Sequence, residues 1–113
     1  MRGRAQYGLK ERKPMTHDER EKMITTSMAM IVVEFNNNPV PMKMWSKCAQ
    51  RKHVDISQAI NYLMWMVSNF KPWQGQVHRA AIFDARNIKK PCAANKIYQY
   101  EKGAWRLEQP ITW

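Results

Sequence analysis

The chain has 113 residues, enough for one domain with a modest core, and 44% of them are hydrophobic, which excludes a disordered chain. Nineteen Lys and Arg against nine Asp and Glu give a formal net charge of +10, which favours a nucleic acid, an anionic membrane or an acidic protein as partner. No apolar run approaches the ~20 residues that a spanning helix needs, and the basic N-terminus lacks the apolar stretch of a secretory signal, so we expect a cytoplasmic location.

The first 14 residues, MRGRAQYGLKERKP, predict a flexible basic arm. They hold five basic residues and one acidic residue, a net charge of 5 − 1 = +4, and little that a core would bury. The folded domain is therefore expected over residues 15–113, with residues 1–14 a flexible basic arm or an extension beyond it. The alternative is a disordered tail without function.

A long scaffold helix is predicted to begin at Thr16, because Thr16 and Glu19 have the spacing of a capping box. Five apolar residues then recur at helical spacing on one face: Ile24, Met28, Ile31, Val32 and Phe35. The segment NNNP at 36–39 ends this predicted helix.

A second helix is predicted over Met42–Arg51, after a short strand or linker at Val40 and Pro41. It carries a basic stripe at i, i+4 and i+8, with one more basic residue beside it: Lys43, Lys47, Arg51 and Lys52. Like charges at this spacing repel one another, and a polyanion would relieve that repulsion. The alternative is a solvated helix face.

A third helix is predicted from the N-cap Asp55 to Phe70. One face is an apolar stripe: Ile56, Ala59, Ile60, Leu63, Met66, Val67 and Phe70. The other face is uncharged and rich in amides: Ser57, Gln58, Asn61, Tyr62, Trp65 and Asn69. Amide side chains can read adenine bidentately, so this face is either a base-reading surface or a plain exposed one. Trp65 lies towards the helix end, where packing against another element or a second subunit is favoured over contact with DNA.

The last third of the chain predicts strands and turns. A strand is expected over 77–83, followed by a basic loop over 84–95 and a second strand over 96–100. A tight turn at Lys102-Gly103 leads to a third strand over 104–108. The loop contributes three basic residues: Arg86, Lys89 and Lys90.

The order helix, helix, helix, strand, basic loop, strand resembles the winged helix-turn-helix superfamily over residues 16–108. The likeness is carried by Asp55, by the pattern Ile56-x-x-x-Ile60-x-x-Leu63 and by the preceding helix. It implies an α+β fold, with a three-helix helix-turn-helix core followed by a small antiparallel hairpin. It further implies that the third helix enters the major groove, presenting Ser57, Gln58, Asn61 and Tyr62 to bases or phosphates. Phosphates would be held by Lys43 and Lys47 from the second helix and by Arg86, Lys89 and Lys90 from the wing.

Little in the sequence favours catalysis or a cofactor. Cys48 and Cys92 are expected to be free thiols, and the three His residues lack the paired spacing of a zinc site. There is no P-loop and no G-x-G-x-x-G motif. We therefore expect no enzyme, no metal and no cofactor.

The sequence favours a sequence-specific double-stranded DNA binder, a small transcriptional regulator or replication accessory of phage or mobile-element type. Two alternatives stay open. One is a protein-binding inhibitor or adaptor that uses exposed tryptophans: Trp65, Trp73, Trp105 and Trp113. The other is an RNA or single-strand binder that stacks bases on Tyr98, Tyr100 and Trp105. No membrane partner is expected, and the oligomeric state is open, with a homodimer among the options.

Overall fold

A computed structural model describes residues 15–49 and 52–111, and the predicted arm at 1–14 lies outside them, as does Arg51. The elements in chain order are α1 (His17–Thr26), β1 (Ala29–Phe35), β2 (Asn38–Trp45), α2 (Ser46–Ala49), α3 (Ile56–Asn69), β3 (Val77–Asp84), a 3-10 turn (Ala93–Asn95), β4 (Lys96–Glu101) and β5 (Ala104–Leu107). The strands form one antiparallel sheet in the order β2-β1-β3-β4-β5.

This sheet overturns the winged-helix prediction. A winged helix places a small hairpin after three helices, whereas here β1 and β2 precede α3 and all five strands join one sheet. The helix-turn-helix pair is also absent among the described residues, since α2 is a single turn of four residues. The fold class is α+β, but its architecture is a sheet with helices packed on it.

The predicted scaffold helix is correct only at its start. The capping box forms, with the Glu19 amide donating to the Thr16 hydroxyl at 3.1 Å and the Thr16 amide donating to the Glu19 carboxylate at 2.9 Å. The helix then ends at Thr26, and residues 29–35 form the strand β1. The run Ile31-Val32-Val33 is β-branched throughout, which favours a strand over a helix.

The residues predicted to end the first helix form a hairpin instead. Phe35 pairs with Asn38 across the turn, and β2 continues to Trp45, so the predicted second helix over 42–51 is wrong at its first four positions. Pro39 and Pro41 are tolerated because β2 is an edge strand, where a missing N–H does not interrupt the ladder.

Helix α3 is correctly predicted. The Asp55 carboxylate accepts the Gln58 amide at 2.9 Å as an N-cap, and the helix runs to Asn69. Its predicted apolar stripe is buried: Ile56, Ala59, Ile60, Leu63, Met66 and Val67. Since β2 and β3 both pair antiparallel with β1, they run parallel to each other, and α3 is the crossover that joins them.

The sheet has a core on each face. On one face α3 covers the alternate residues of the central strands, including Ile31, Val33 and Ile82. On the other face Met23 and Ile24 of α1 pack on a smaller cluster: Met30, Trp45, Phe83 and Ala85. Strand β1 is buried on both sides, which is why its sequence is a continuous apolar run rather than an alternating one.

The predicted C-terminal strands and turns are confirmed. β3, β4 and β5 begin within a residue of the predicted positions, and Lys102 and Gly103 form the tight turn with φ of 53° and 81°. The prediction that Trp73 is exposed is wrong, because Trp73 is packed against Phe35 and Phe70 and is only 5% exposed. It is therefore not available to a protein partner.

Candidate nucleic-acid interface

Basic side chains from distant parts of the sequence meet at one end of the sheet. Strand pairing defines this end, since Ala29 lies opposite Asp84, Trp45 opposite Met30, and Lys96 opposite Phe83. Helix α1 ends here, α2 follows β2 here, and α3 begins here. The loop between β3 and β4 closes the same end.

Lys89 joins the loop to α1. Its ammonium Nζ donates to the carbonyl oxygens of Thr25 at 3.1 Å and Ser27 at 3.2 Å. A lysine at the C-terminus of a helix satisfies carbonyls that lack an intrahelical donor and complements the helix dipole. Burial lowers the pKa of Lys89, and the negative charge of Asp84 opposes that shift.

Two buried serines join α2 to the start of β1. The Ser27 hydroxyl donates to the Met23 carbonyl at 2.7 Å and accepts the Lys47 amide at 3.1 Å. The Ser46 hydroxyl accepts the Ala29 amide at 3.2 Å and lies 3.4 Å from Nε2 of the buried His53.

These bonds bring the segment after β2 and the loop between β3 and β4 to the α1 terminus. Each of the two segments carries two lysines: Lys47 and Lys52 in the first, and Lys89 and Lys90 in the second. We call this set the basic end. Lys52 and Lys90 are exposed and have no ion pair within the described residues. The segments that carry the lysines predicted from the second helix and from the wing therefore do meet, although neither a helix-turn-helix nor a wing brings them together.

Arg86 was predicted as a wing residue, but it is committed to Asp84. The guanidinium donates to the carboxylate through Nε at 3.0 Å and Nη2 at 2.7 Å, and the Arg86 amide adds a third bond at 3.0 Å. Burial alone would raise the pKa of Asp84, but these hydrogen bonds and the charges of Arg86 and Lys89 lower it below its ordinary value. The bond to Asp84 raises the pKa of Arg86.

The Asp84–Arg86 pair predicts acid sensitivity. Because the pKa of Asp84 is lower in the folded state, its stabilisation is present above the unfolded pKa and is lost as the pH falls through the folded pKa. We expect Asp84→Asn to reduce the free energy of unfolding by about 1.5 kcal/mol at pH 7, with a smaller difference at pH 3. Urea unfolding at the two pH values measures this. In an Arg86→Ala background the same substitution should have little effect at either pH; an unchanged effect would contradict the pairing.

Asn95 holds the loop in shape. Its Nδ2 donates to the carbonyls of Asp84 at 2.9 Å, Lys90 at 3.0 Å and Ile88 at 3.3 Å. Its Oδ1 accepts the Cys92 amide at 3.0 Å and lies 3.2 Å from the Cys92 thiol. The loop that carries Lys89 and Lys90 is thus ordered from within. Cys92 and Cys48 are both free thiols, as predicted.

The uncharged face of α3 begins beside the basic end. Gln58 is partly committed, since its Oε1 accepts the Val54 amide at 3.0 Å. Asn61 is exposed and has no side-chain hydrogen bond within the described residues, whereas Ser57 is half-buried. The Tyr62 ring stacks on Trp65 with a centroid separation of 5.6 Å. Of the predicted base-reading residues, Gln58 and Asn61 are exposed, and Asn61 is the one whose side chain has no hydrogen bond within the described residues.

Lys43 does not belong to the basic end. It lies on β2, and its ammonium sits 5.1 Å from the centre of the Trp45 ring. The predicted stripe of Lys43, Lys47 and Arg51 is therefore wrong, because Lys43 and Lys47 occupy a strand and a helical turn.

The open half of the sheet face beside α1 also carries basic side chains, but acidic neighbours balance them. Arg79 bridges Glu34 at 3.1 Å and Glu101 at 3.7 Å, and Arg106 pairs with Glu108 at 2.8 Å. Arg79 and Arg106 are therefore each paired with a carboxylate, unlike the exposed Lys52 and Lys90.

Little in the sequence points to Ser27, Ser46 and Asn95, whose hydrogen bonds hold the segments of the basic end together. The one local signal was the position of Asn95 directly before a predicted strand, where Asn often bonds to nearby backbone groups. The bond from Lys89 to Ser27 spans 62 residues and has no local signature.

Comparison of the chain with family models, curated proteins and solved structures finds no match in any of the three. Within residues 15–49 and 52–111, no helix is long and apolar enough to cross a membrane. In the same part of the chain no three His, Cys, Asp or Glu side chains cluster as a metal site would require.

Proposed function

We propose that this protein binds double-stranded DNA. The lysines of the basic end would contact the phosphates of the DNA backbone. The observation that carries the proposal is the meeting of two lysine-bearing segments at one end of the sheet. Lys89 holds the loop on α1, and the exposed Lys52 and Lys90 are the side chains left to contact phosphates. Exposed lysines on a chain of net charge +10 release condensed counterions from DNA when they contact its phosphates, and that release drives binding.

Duplex DNA is favoured over a single strand because the aromatic side chains of the β4–β5 hairpin are poorly placed for stacking with bases. Trp105 packs against Tyr98 and Tyr100, with ring centroids 6.2 and 5.0 Å apart, and all three are half-buried against the core beneath α3. Single-strand binders stack bases on open aromatic faces, whereas Trp105 is packed edge-on against Tyr98 and at a tilt against Tyr100. Binding through phosphate contacts is therefore better supported than binding through base stacking on this hairpin.

Sequence preference would come from the start of α3. Asn61 lies on its exposed face, and an amide there can pair with adenine in the major groove. Such a protein would act on cytoplasmic DNA as a transcriptional regulator or a replication accessory. The phosphate contacts at the basic end do not depend on this base-reading role.

The two ends of β4 offer a matched test of the proposal. Lys90→Glu changes the basic end, and Lys102→Glu makes the same change in the turn at the opposite end of the strand, each lowering the net charge from +10 to 10 − 2 = +8. We expect Lys90→Glu to weaken duplex binding about tenfold and to reduce the slope of log affinity against log salt by about one. Lys102→Glu should change affinity less than about threefold, since only long-range charge is altered.

Fluorescence anisotropy with a labelled random duplex, titrated across salt, measures both quantities, and Lys52→Glu gives an independent second reading of the basic end. Equal losses for Lys90→Glu and Lys102→Glu would show a diffuse charge effect and contradict the proposed site. Preference for single-stranded DNA or RNA would contradict the choice of duplex.

A further inference from the structure

Helix α3 exposes an uncharged surface on a strongly basic protein. None of its 14 residues is charged. Trp65 is 49% exposed, and among the large hydrophobic side chains exposed in the described chain it is the aromatic one. Its ring stacks on Tyr62 with the planes 22° apart, so the side chain is already held in place. An exposed, preordered tryptophan loses little freedom on docking and is typical of an interface anchor.

Opposite charges flank this helix. Asp55 stands at its N-terminus and Lys71 lies just beyond its C-terminus, and both are exposed. In an antiparallel pair of α3 helices, Asp55 of each copy would approach Lys71 of the other. The helix dipoles would also oppose each other favourably.

We propose that a second copy of this chain docks on α3, antiparallel and about a two-fold axis. Exposed residues recur along the helix at a 3-4-3 spacing: Gln58, Asn61, Trp65 and Ser68. Setting Asp55 opposite Lys71 of the second copy places Asn61 opposite Trp65 and Gln58 opposite Ser68. Each tryptophan then meets an amide or hydroxyl side chain, and the four facing positions of the seam are uncharged. A two-fold interface requires such a self-complementary patch.

Other surfaces of the protein are less suited to a second copy. The edge strand β2 has Pro39 and Pro41, which remove backbone donors that a further strand would need. The opposite edge strand β5 has only four residues and carries the exposed Arg106. With a net charge of +10, approach through basic surfaces is repulsive.

The expected association is weak. A helix of 14 residues offers a strip about 21 Å long, and its exposed face buries less than the ~800 Å² per partner of a standard interface. We therefore expect a dimer with a dissociation constant on the order of 100 µM, formed in concentrated protein. Because the seam covers Asn61, this association competes with base reading by α3 but leaves the phosphate contacts at the basic end free.

Sedimentation velocity over about 5–500 µM protein tests the proposal. Trp65→Lys should raise the dissociation constant at least about tenfold, because it removes the anchor and sets positive charges on the seam. The matched control is Leu107→Lys on β5, another exposed hydrophobic residue at 54%, which should leave the constant within about twofold. Circular dichroism confirms that both variants are folded.

Lys71→Glu tests the antiparallel orientation. Docking through α3 and contact through another surface predict opposite changes in the strength of association. In the antiparallel docking the new carboxylate meets Asp55 of the second copy, so association weakens at low salt. If copies meet elsewhere, the lower net charge of 10 − 2 = +8 reduces their repulsion and association strengthens.

A monomer throughout the concentration range, a dimer insensitive to Trp65→Lys, or a dimer strengthened by Lys71→Glu would each overturn the inference. Binding of DNA by the basic end is measured separately with Lys90→Glu, so failure of either proposal leaves the other standing.

Discussion

Replacing Met30 by alanine is expected to lower the free energy of unfolding by about 2–5 kcal/mol, the range for truncating a fully buried large side chain. Met30 has no exposed surface. Its side chain lies on the sheet face beneath α1, clustered with Trp45 and Phe83. Alanine would leave a cavity that this cluster, held between a helix and a sheet, can fill only in part.

The same substitution distinguishes a strand at residues 29–35 from the helix predicted for this segment. On a helix through 24–35, the apolar stripe would hold Ile31 and Met28, and Met30 would point about 100° away from Ile31, off that stripe. Its truncation would then cost little. On β1, Met30 and Ile31 point to opposite faces and both are buried.

Urea unfolding of the wild type, Met30→Ala and Met30→Leu measures the effect. The leucine variant keeps most of the volume and should lose less than about 1.5 kcal/mol. A loss below about 1 kcal/mol for the alanine variant would contradict the two-sided burial of β1.

The error at β1 has a physical cause. A strand buried on both faces loses the polar–apolar alternation that identifies strands, and a continuous apolar run supports either structure. The helical spacing of Ile24, Met28 and Ile31 combined residues of α1 with residues of β1. The β-branched run of residues 31–33 was the local signal for a strand, and the capping box at Thr16 outweighed it.

Elements with strong local signals were predictable. Asp55 as N-cap and a clean 3.6-residue period define α3, and the Lys102-Gly103 turn defines the β4–β5 hairpin. These features depend on residues close in sequence. The placement of α3 as a crossover between β2 and β3 depends on pairing of β1 with both strands, which no local pattern encodes.

The candidate site was half predictable. Lys47, Lys52, Lys89 and Lys90 were selected for their charge and are grouped in the structure. Lys43 was assigned by helical spacing and falls outside the group, because its segment is a strand. Tertiary contacts bring these segments together. The Lys89 ammonium donates to carbonyls at the end of α1, and buried serines join α2 to β1.

Asn95→Ala is expected to lower the free energy of unfolding by about 3 kcal/mol, because it removes the donor shared by three carbonyls within the loop. Buried carbonyls left without a donor each cost about 1–3 kcal/mol, less where water reaches them. Asn87→Ala in the same loop is the control. Asn87 is exposed and should be substituted at a cost within about 0.5 kcal/mol.

This substitution also links stability to the proposed DNA binding. Without Asn95, the carbonyls of Asp84 and Lys90 are no longer tied together, so Lys90 loses its fixed position at the basic end. We expect Asn95→Ala to weaken duplex binding at a temperature where circular dichroism still shows folded protein, whereas Asn87→Ala should not. A variant with reduced stability but wild-type affinity would mean that the lysines act through charge alone, and that the order of the loop serves the fold rather than the interface.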